Sequence, residues 1–367
     1  MILEMQPFRG CHVFNATVTT QTPAHHAILG SLLGTAVGDA IGLPYEGLSR
    51  RRGVRLFGEP NRHHFVFRGG MVSDDTEHTC IVLQALIASG GDVEVFGSQL
   101  AWGLRWWLLG LPAGIGLATL KASVKLWCGF SHRTSGVFSA GNGPAMRSAI
   151  LGAAVEELSL LQSLVVVSTR ITHTDPKAAY GALAVALAAR LARTHSPVSG
   201  TQYLEELRSF LPKDVDHSFL ESIERAVHSA NAGESTVSFA QSQGWEKGVS
   251  GYVYNTVPIV IHAWLQNQGD LASGVGAVIR CGGDTDTTAA IVGGIIGAHV
   301  GKEGIPADWL NGLYEWPRTV RWIEQLAEAQ SEGRKTPPLP AVGLLVRNAL
   351  FFVVVLGHLV RRLLPPY

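Results

Sequence analysis

The segment Thr288-Ala-Ala-Ile-Val-Gly-Gly-Ile-Ile-Gly-Ala-His-Val300 decides the fold. Its alanines and isoleucines recur at helical spacing, without the alternation that a half-buried strand needs. Gly293, Gly294 and Gly297 lie inside it and Gly301 follows, although each glycine costs a helix about 0.5–1 kcal/mol relative to alanine. Close backbone approach between buried helices offsets such a cost. Gly30, Gly34 and Gly38, spaced by four, show the same pattern.

Working outward, Ala, Leu and Ile keep helical spacing through 81–87, 178–192 and 219–230. Residues 158–168 crowd β-branched side chains, yet their flanks are helical. The chain is therefore expected to be all-α. Residues 53–70, rich in Arg, Gly, Pro and His, read as an irregular surface loop with His63 and His64 solvated. Length is compatible with about two domains or with one large helical domain.

The 367 residues carry 29 basic and 29 acidic side chains, a balance that excludes the basic footprint of a nucleic-acid binder. Charged residues are 16%, against a norm of roughly 25%, so the chain should be compact and mostly interior. Cys11, Cys80, Cys128 and Cys281 form neither a disulfide framework nor a thiolate metal pattern, and a reducing, cytoplasmic compartment is expected. Residues 1–26 lack an apolar core after a charged start and read as an extension. The main domain is expected at 27–330. Residues 331–367 read as a proline-containing linker followed by an apolar helix. That helix is interrupted by Arg347, Asn348 and His358, and its unbroken apolar run is short for a span. Docking on the body or contact between copies is favoured, ahead of a membrane-surface position with Arg361 and Arg362 at the headgroups and, last, a span.

Against this charge-poor background stand Ser73-Asp74-Asp75-Thr76 and Gly282-Gly283-Asp284-Thr285-Asp286-Thr287, each running into an apolar helix, expected to begin near Thr79 and Ala289. One cap needs one such residue, worth about 0.3–1 kcal/mol at a helix start. Two adjacent aspartates and an Asp-x-Asp exceed that need and would repel one another unless neutralised. Asp74, Asp75, Asp284 and Asp286 bring four negative charges, which two hard divalent cations would cancel through oxygen ligands. EF-hand spacing fails at Thr288 and Ile295, and no H-E-x-x-H, G-x-S-x-G or Walker lysine motif is present. Metal-assisted hydrolysis remains.

Three further pieces are ambiguous taken singly. Ser139-Ala-Gly141-Asn142-Gly143 is either a loop entering a helix or a set of amides for phosphate. Gly114-Ile-Gly116 carries the same ambiguity. His173 is either a cap-region residue or a stacking partner for a sugar or base.

Taken together, Gly34-Thr-Ala-Val-Gly-Asp-Ala-Ile-Gly-Leu-Pro-Tyr-Glu46, the two aspartate clusters, Gly114/Gly116, Gly141-Asn-Gly143 with Met146-Arg147, and Thr172-His173 resemble the ADP-ribosylglycohydrolase family, in the family's order. The resemblance spans roughly residues 27–300. It implies a compact, orthogonal multi-helix bundle with a metal cleft at helix N-termini, holding two Mg²⁺, or Mn²⁺. It assigns Ser73, Asp74, Asp75, Asp284, Asp286 and Thr287 as ligands, Asp75 as the carboxylate assisting water, and Glu46 as a gate or proton shuttle. Gly114, Gly116, Ser139, Gly141, Asn142 and His173 would receive ADP-ribose. Ala113 and Ile150 depart from the family pattern, where Arg and Pro are frequent, and bear on substrate preference. The implied reaction is hydrolysis of the bond between ADP-ribose and a modified protein side chain, of arginine or serine type, or a small molecule. The alternative is a relative without turnover, either a metal-dependent ADP-ribose reader or a structural protein.

Overall fold

The computed structural model describes residues 23–65, 68–194 and 197–365; most of the expected 1–26 extension, with Cys11, lies outside them. Among these residues the chain forms eighteen α-helices and two short 3-10 turns, and strand-like pairing is limited to isolated bridges. The fold is all-α, as expected. In order the helices are α1 (Pro23–Gly42), α2 (Arg50–Phe57), α3 (Asp74–Ser89), α4 (Val93–Leu109), α5 (Leu117–Trp127), α6 (Gly143–Met146), α7 (Ala149–Ala154), α8 (Leu158–Thr172) and α9 (Pro176–Thr194). They continue as α10 (Gly200–Phe210), α11 (His217–Asn231), α12 (Thr236–Ser242), α13 (Val253–Gln266), α14 (Leu271–Ile279), α15 (Thr285–Val300), α16 (Ala307–Asn311), α17 (Val320–Glu332) and α18 (Ala341–Leu363).

The two glycine stripes meet. A Cβ placed on Gly30 would lie 2.0 Å from the Gly297 carbonyl oxygen, one on Gly34 2.1 Å from that of Gly293, and one on Gly38 2.1 Å from that of Ala289. Backbone therefore touches backbone along α1 and α15, which are buried on nearly every side. This contact recovers what the glycines cost the helices. It also delivers the last turn of α1 to the first turn of α15, where Gly42 abuts Thr285. Gly293→Ala is expected to destabilise the protein by about 3 kcal/mol, since a Cβ 2.2 Å from the Gly34 oxygen must push the helices apart. The intrinsic helix gain of about 1 kcal/mol cannot compensate. Urea denaturation of the purified variant measures the difference.

Segment 53–70 departs from the loop reading. Arg50–Phe57 is helical, with Gly53 packed against the Tyr45 ring, and His63 is buried, its Nε2 2.8 Å from the Trp309 carbonyl. Docking, which local composition does not report, orders both. The doubtful stretch at 158–168 lies within α8. Cys80, Cys128 and Cys281 are free thiols.

Candidate active site

Both aspartate clusters begin helices, a turn earlier than their apolar pattern suggested: α3 starts at Asp74 and α15 at Thr285. Ser73 caps α3, its hydroxyl oxygen accepting from the Asp75 amide. A second cap comes from Asp39 in α1, whose carboxylate accepts from the Ser73 amide at 2.9 Å, the Thr76 amide at 3.2 Å and the Thr76 hydroxyl at 2.5 Å. Asp39 thus ties the start of α3 to the α1–α15 pair. Asp39 has no assigned role in the Gly34–Glu46 motif, and its one signal in the sequence is that of a lone carboxylate in an apolar, glycine-rich helix.

Gly282 and Gly283 aim the second cluster. Gly283 has a φ of +84°, and a Cβ there would lie 2.1 Å from the Val249 oxygen. Its carbonyl accepts from the Gly47 amide and its amide donates to the Leu48 carbonyl, while the Asp284 amide donates to the Val249 carbonyl. Asp284 is so fixed between the loop carrying Glu46 and the loop at 249–251.

The helix starts and loops surround one cavity of about 580 Å³, within the range of small-molecule sites of ~300–1,000 Å³. Its lining includes Glu46, Asp74, Asp284, Asp286 and Thr287 together with Gly114, Gly116, Ser139, Gly141, Asn142 and His173. Ser73 and Asp75 stand just behind the wall, buried. Asp75 accepts from the Ser73 hydroxyl at 3.0 Å and from the Thr287 hydroxyl at 3.3 Å, so the two distant clusters touch. Asn142 donates to Asp284 at 2.7 Å and to the Thr256 hydroxyl at 3.0 Å. The loop 249–251 also faces the cavity; neither it nor Thr256 carried a sequence signal. A larger hollow of about 980 Å³, lined by Glu59, Arg62, Asp270 and Arg280, contains none of the expected site residues.

Electrostatics follow from this crowding. Burial, then the neighbouring acids, raises the proton affinity of Asp74, Asp75 and Asp286 well above the ordinary carboxylate range. Burial pushes Asp39 up to about 7 against its hydrogen bonds. Glu46 reaches solvent at the mouth, yet packing around its carboxyl and then Asp284 raise it, while Arg362 opposes them. His173 is pushed down to about 3, by burial and by Arg147, and is neutral at physiological pH. Buried Arg147 donates to Thr172 Oγ1 at 2.8 Å, and that oxygen lies 2.9 Å from His173 Nδ1, which fixes the ring.

The donor set suits a hard cation. It is made of carboxylates and hydroxyls, it is electrostatically unfavourable alone, and Asp75 Oδ1 is buried with no hydrogen-bond partner among the described residues. Among the described residues no three His, Cys, Asp or Glu side chains stand close enough to hold an ion as they lie. The hydroxyls of Ser73 and Thr287 complete the set, and both donate to Asp75 Oδ2, leaving Oδ1 without a partner.

The family model for ADP-ribosylglycohydrolase matches residues 20–339. The chain is 28% identical over 305 residues to the ADP-ribosyl-[dinitrogen reductase] glycohydrolase of Rhodospirillum rubrum, covering 80% of this chain and 92% of that one. It is 26% identical over 364 residues to the ADP-ribosylhydrolase ARH3 of Gallus gallus, covering 85% and 96%. A solved structure of an ADP-ribosylglycohydrolase-related protein complex superposes with a TM-score of 0.63 at 26% identity, covering 85% of this chain and 99% of its own.

Proposed function

This chain belongs to the ADP-ribosylglycohydrolase family, and from that premise we propose that it hydrolyses an ADP-ribosyl side-chain conjugate in a reaction requiring two divalent cations, Mg²⁺ or Mn²⁺. The observation that carries the reading is the single cavity on which Asp74, Asp284, Asp286 and Thr287 converge with the loops of Asn142 and His173.

Ser73, Asp74, Asp75, Asp284, Asp286 and Thr287 would hold the cations. When bound, such ions supply charge neutralisation, Lewis-acid polarisation and a template for a sugar diol. The chain's own groups do the rest. Asp75, locked by two hydroxyls, accepts the proton of the attacking water. Glu46, with its proton affinity raised, returns a proton to the departing side-chain atom as the bond to the ribose anomeric carbon breaks. Gly141, Gly114 and Gly116 leave backbone open for the diphosphate, and neutral His173 offers a face and a ring nitrogen without charge.

Linkage-defined peptides, ADP-ribosylated on arginine or on serine, test the assignment by release of free ADP-ribose. Chelation is expected to reduce turnover by about 10³-fold and added Mg²⁺ or Mn²⁺ to restore it. Unchanged turnover after chelation would refute the cation requirement. Tight ADP-ribose binding with no hydrolysis of either linkage would refute the reaction.

A further inference from the structure

Helix α18 lies beyond the stretch matched by the family model, and its polarity is inverted. Its polar side chains turn toward the protein: Arg347 to Glu315 at 2.7 Å, Asn348 to the Gly110 carbonyl at 2.7 Å, His358 to the Phe65 carbonyl at 2.6 Å, and Arg362 to the Pro44 carbonyl at 3.1 Å. Phe351 packs among Leu43, Phe65 and Met71. The opposite side is apolar throughout. Leu345, Val346, Leu350, Val353, Leu356 and Leu359 are each 44–64% exposed. At about 100° per residue they cover roughly half the helix circumference.

A helix that meets one protein partner presents a narrower stripe, and a paired-helix seam narrower still. An apolar half-cylinder matches a continuous hydrocarbon phase. The arginine placement adds charge complementarity. At the C-terminal end of α18, Arg52 of α2 donates to the Arg362 carbonyl, which brings the start of α2, with exposed Arg50 and Arg51, to the end of α18 that carries Arg361 and Arg362. Neither helix contains an acid. At the other end Trp316, 52% exposed, packs against Gly343, a placement that suits an interfacial tryptophan. Bonds to the body from Arg347 through Arg362 hold α18 along the protein surface and not projecting from it.

We propose that α18 and the adjoining arginines of α2 form a docking surface for an anionic lipid bilayer, with the helix lying in the plane of the headgroups. Its outer half enters the acyl boundary and the arginines meet lipid phosphates. The bound surface adjoins the catalytic mouth, because Arg362 grips the Leu43–Pro44 turn just ahead of Glu46.

The test is co-sedimentation of the full chain with phosphatidylcholine vesicles, with or without about 30% phosphatidylglycerol. Preferential binding to the anionic vesicles, weakened by salt, is expected. Leu350→Glu with Val353→Glu should lower vesicle binding about tenfold or more, and Arg50→Glu with Arg51→Glu should abolish the anionic preference. Both double variants should keep native circular dichroism and wild-type hydrolysis of a soluble ADP-ribosyl peptide. No binding, or equal binding to both vesicles, overturns the proposal. So does a dimer by light scattering that the Leu350/Val353 variant dissociates while vesicles remain unbound, which would assign the face to a second copy.

Discussion

Asp75→Asn and Asp284→Ala are each expected to lower ADP-ribose release by about 10³-fold while leaving the helical circular dichroism intact, the several kcal/mol that a mispositioned cation removes from the transition state. The discriminating result is in stability. In the folded, cation-free protein Asp75 is buried, Asp39, Asp74 and Asp284 repel it, and its proton affinity is raised. A carboxyl whose folded-state value lies above its unfolded value stabilises the fold when protonated, and that contribution disappears as pH rises through the folded value. Cation-free wild type should therefore lose stability as pH climbs from the ordinary 3.8 toward and past about 7, where Asp39 titrates. Bound divalent ions reverse the local logic by favouring the ionised acids. Asp75→Asn should accordingly melt higher than wild type in chelator at neutral pH, and lower than wild type in saturating Mg²⁺. A variant that retains substantial turnover, or that shows the same melting difference with and without Mg²⁺, contradicts the cation role. Differential scanning fluorimetry across pH, run beside the release assay, measures both.

The parts of this site that were legible were those whose chemistry exceeds local need. Two adjacent aspartates at a helix start, and an Asp-x-Asp after two glycines, surpass capping, and the structure brings both clusters to one cavity. The glycine stripes were legible in the same way, because a repeated helix penalty demands a contact. Asp39 was harder. Its function, capping a helix 34 residues away through the Ser73 amide, depends on tertiary placement and leaves only a lone acid among apolar neighbours. The loop at 249–251 is positioned by hydrogen bonds from the Val249 amide to the Gly282 carbonyl and from the Asp284 amide to the Val249 carbonyl, and Thr256 by the Asn142 side-chain amide and the Ser250 carbonyl, partners distant in sequence for all but the last. His63 was misread because paired histidines in a polar stretch resemble a solvated loop, whereas its burial and its hydrogen-bond partner, the Trp309 carbonyl, come from much later in the sequence. In α18 the apolar composition was plain from residues alone. Which side faced outward was not, because the polar residues of that helix find their partners at Pro44, Phe65, Val72, Gly110 and Glu315, far from it in sequence for all but the last.

Arg347→Ala should produce the largest loss of stability of any single change outside the cavity, about 3–5 kcal/mol, or a fall in melting temperature of roughly 5–10 °C. Arg347 reaches from α18 into a buried ion cluster, 2.7 Å from Glu315 and 3.7 Å from Glu77. Glu77 is held in turn by Arg318 at 2.6 Å and by the Trp107 indole at 2.6 Å. Burial raises the proton affinity of Glu315, and Arg347 is the group that opposes this. Removing the guanidinium leaves that carboxylate desolvated without its partner, which costs far more than an exposed pair of equal length, worth at most about 1 kcal/mol. The pairing predicts non-additivity: Glu315→Gln added to Arg347→Ala should restore part of the loss, because a neutral amide needs no counter-charge. Additive losses in that double-mutant cycle would mean that Arg347 acts through packing on Phe351, whose ring lies 4.5 Å from the guanidinium carbon, and not through charge. Because Glu77 lies in the first turn of α3, next to Asp74 and Asp75, loosening this cluster should also weaken Mg²⁺ affinity without touching any ligand. Arg347 would then join α18, the segment outside the family match, to the geometry of the catalytic cavity.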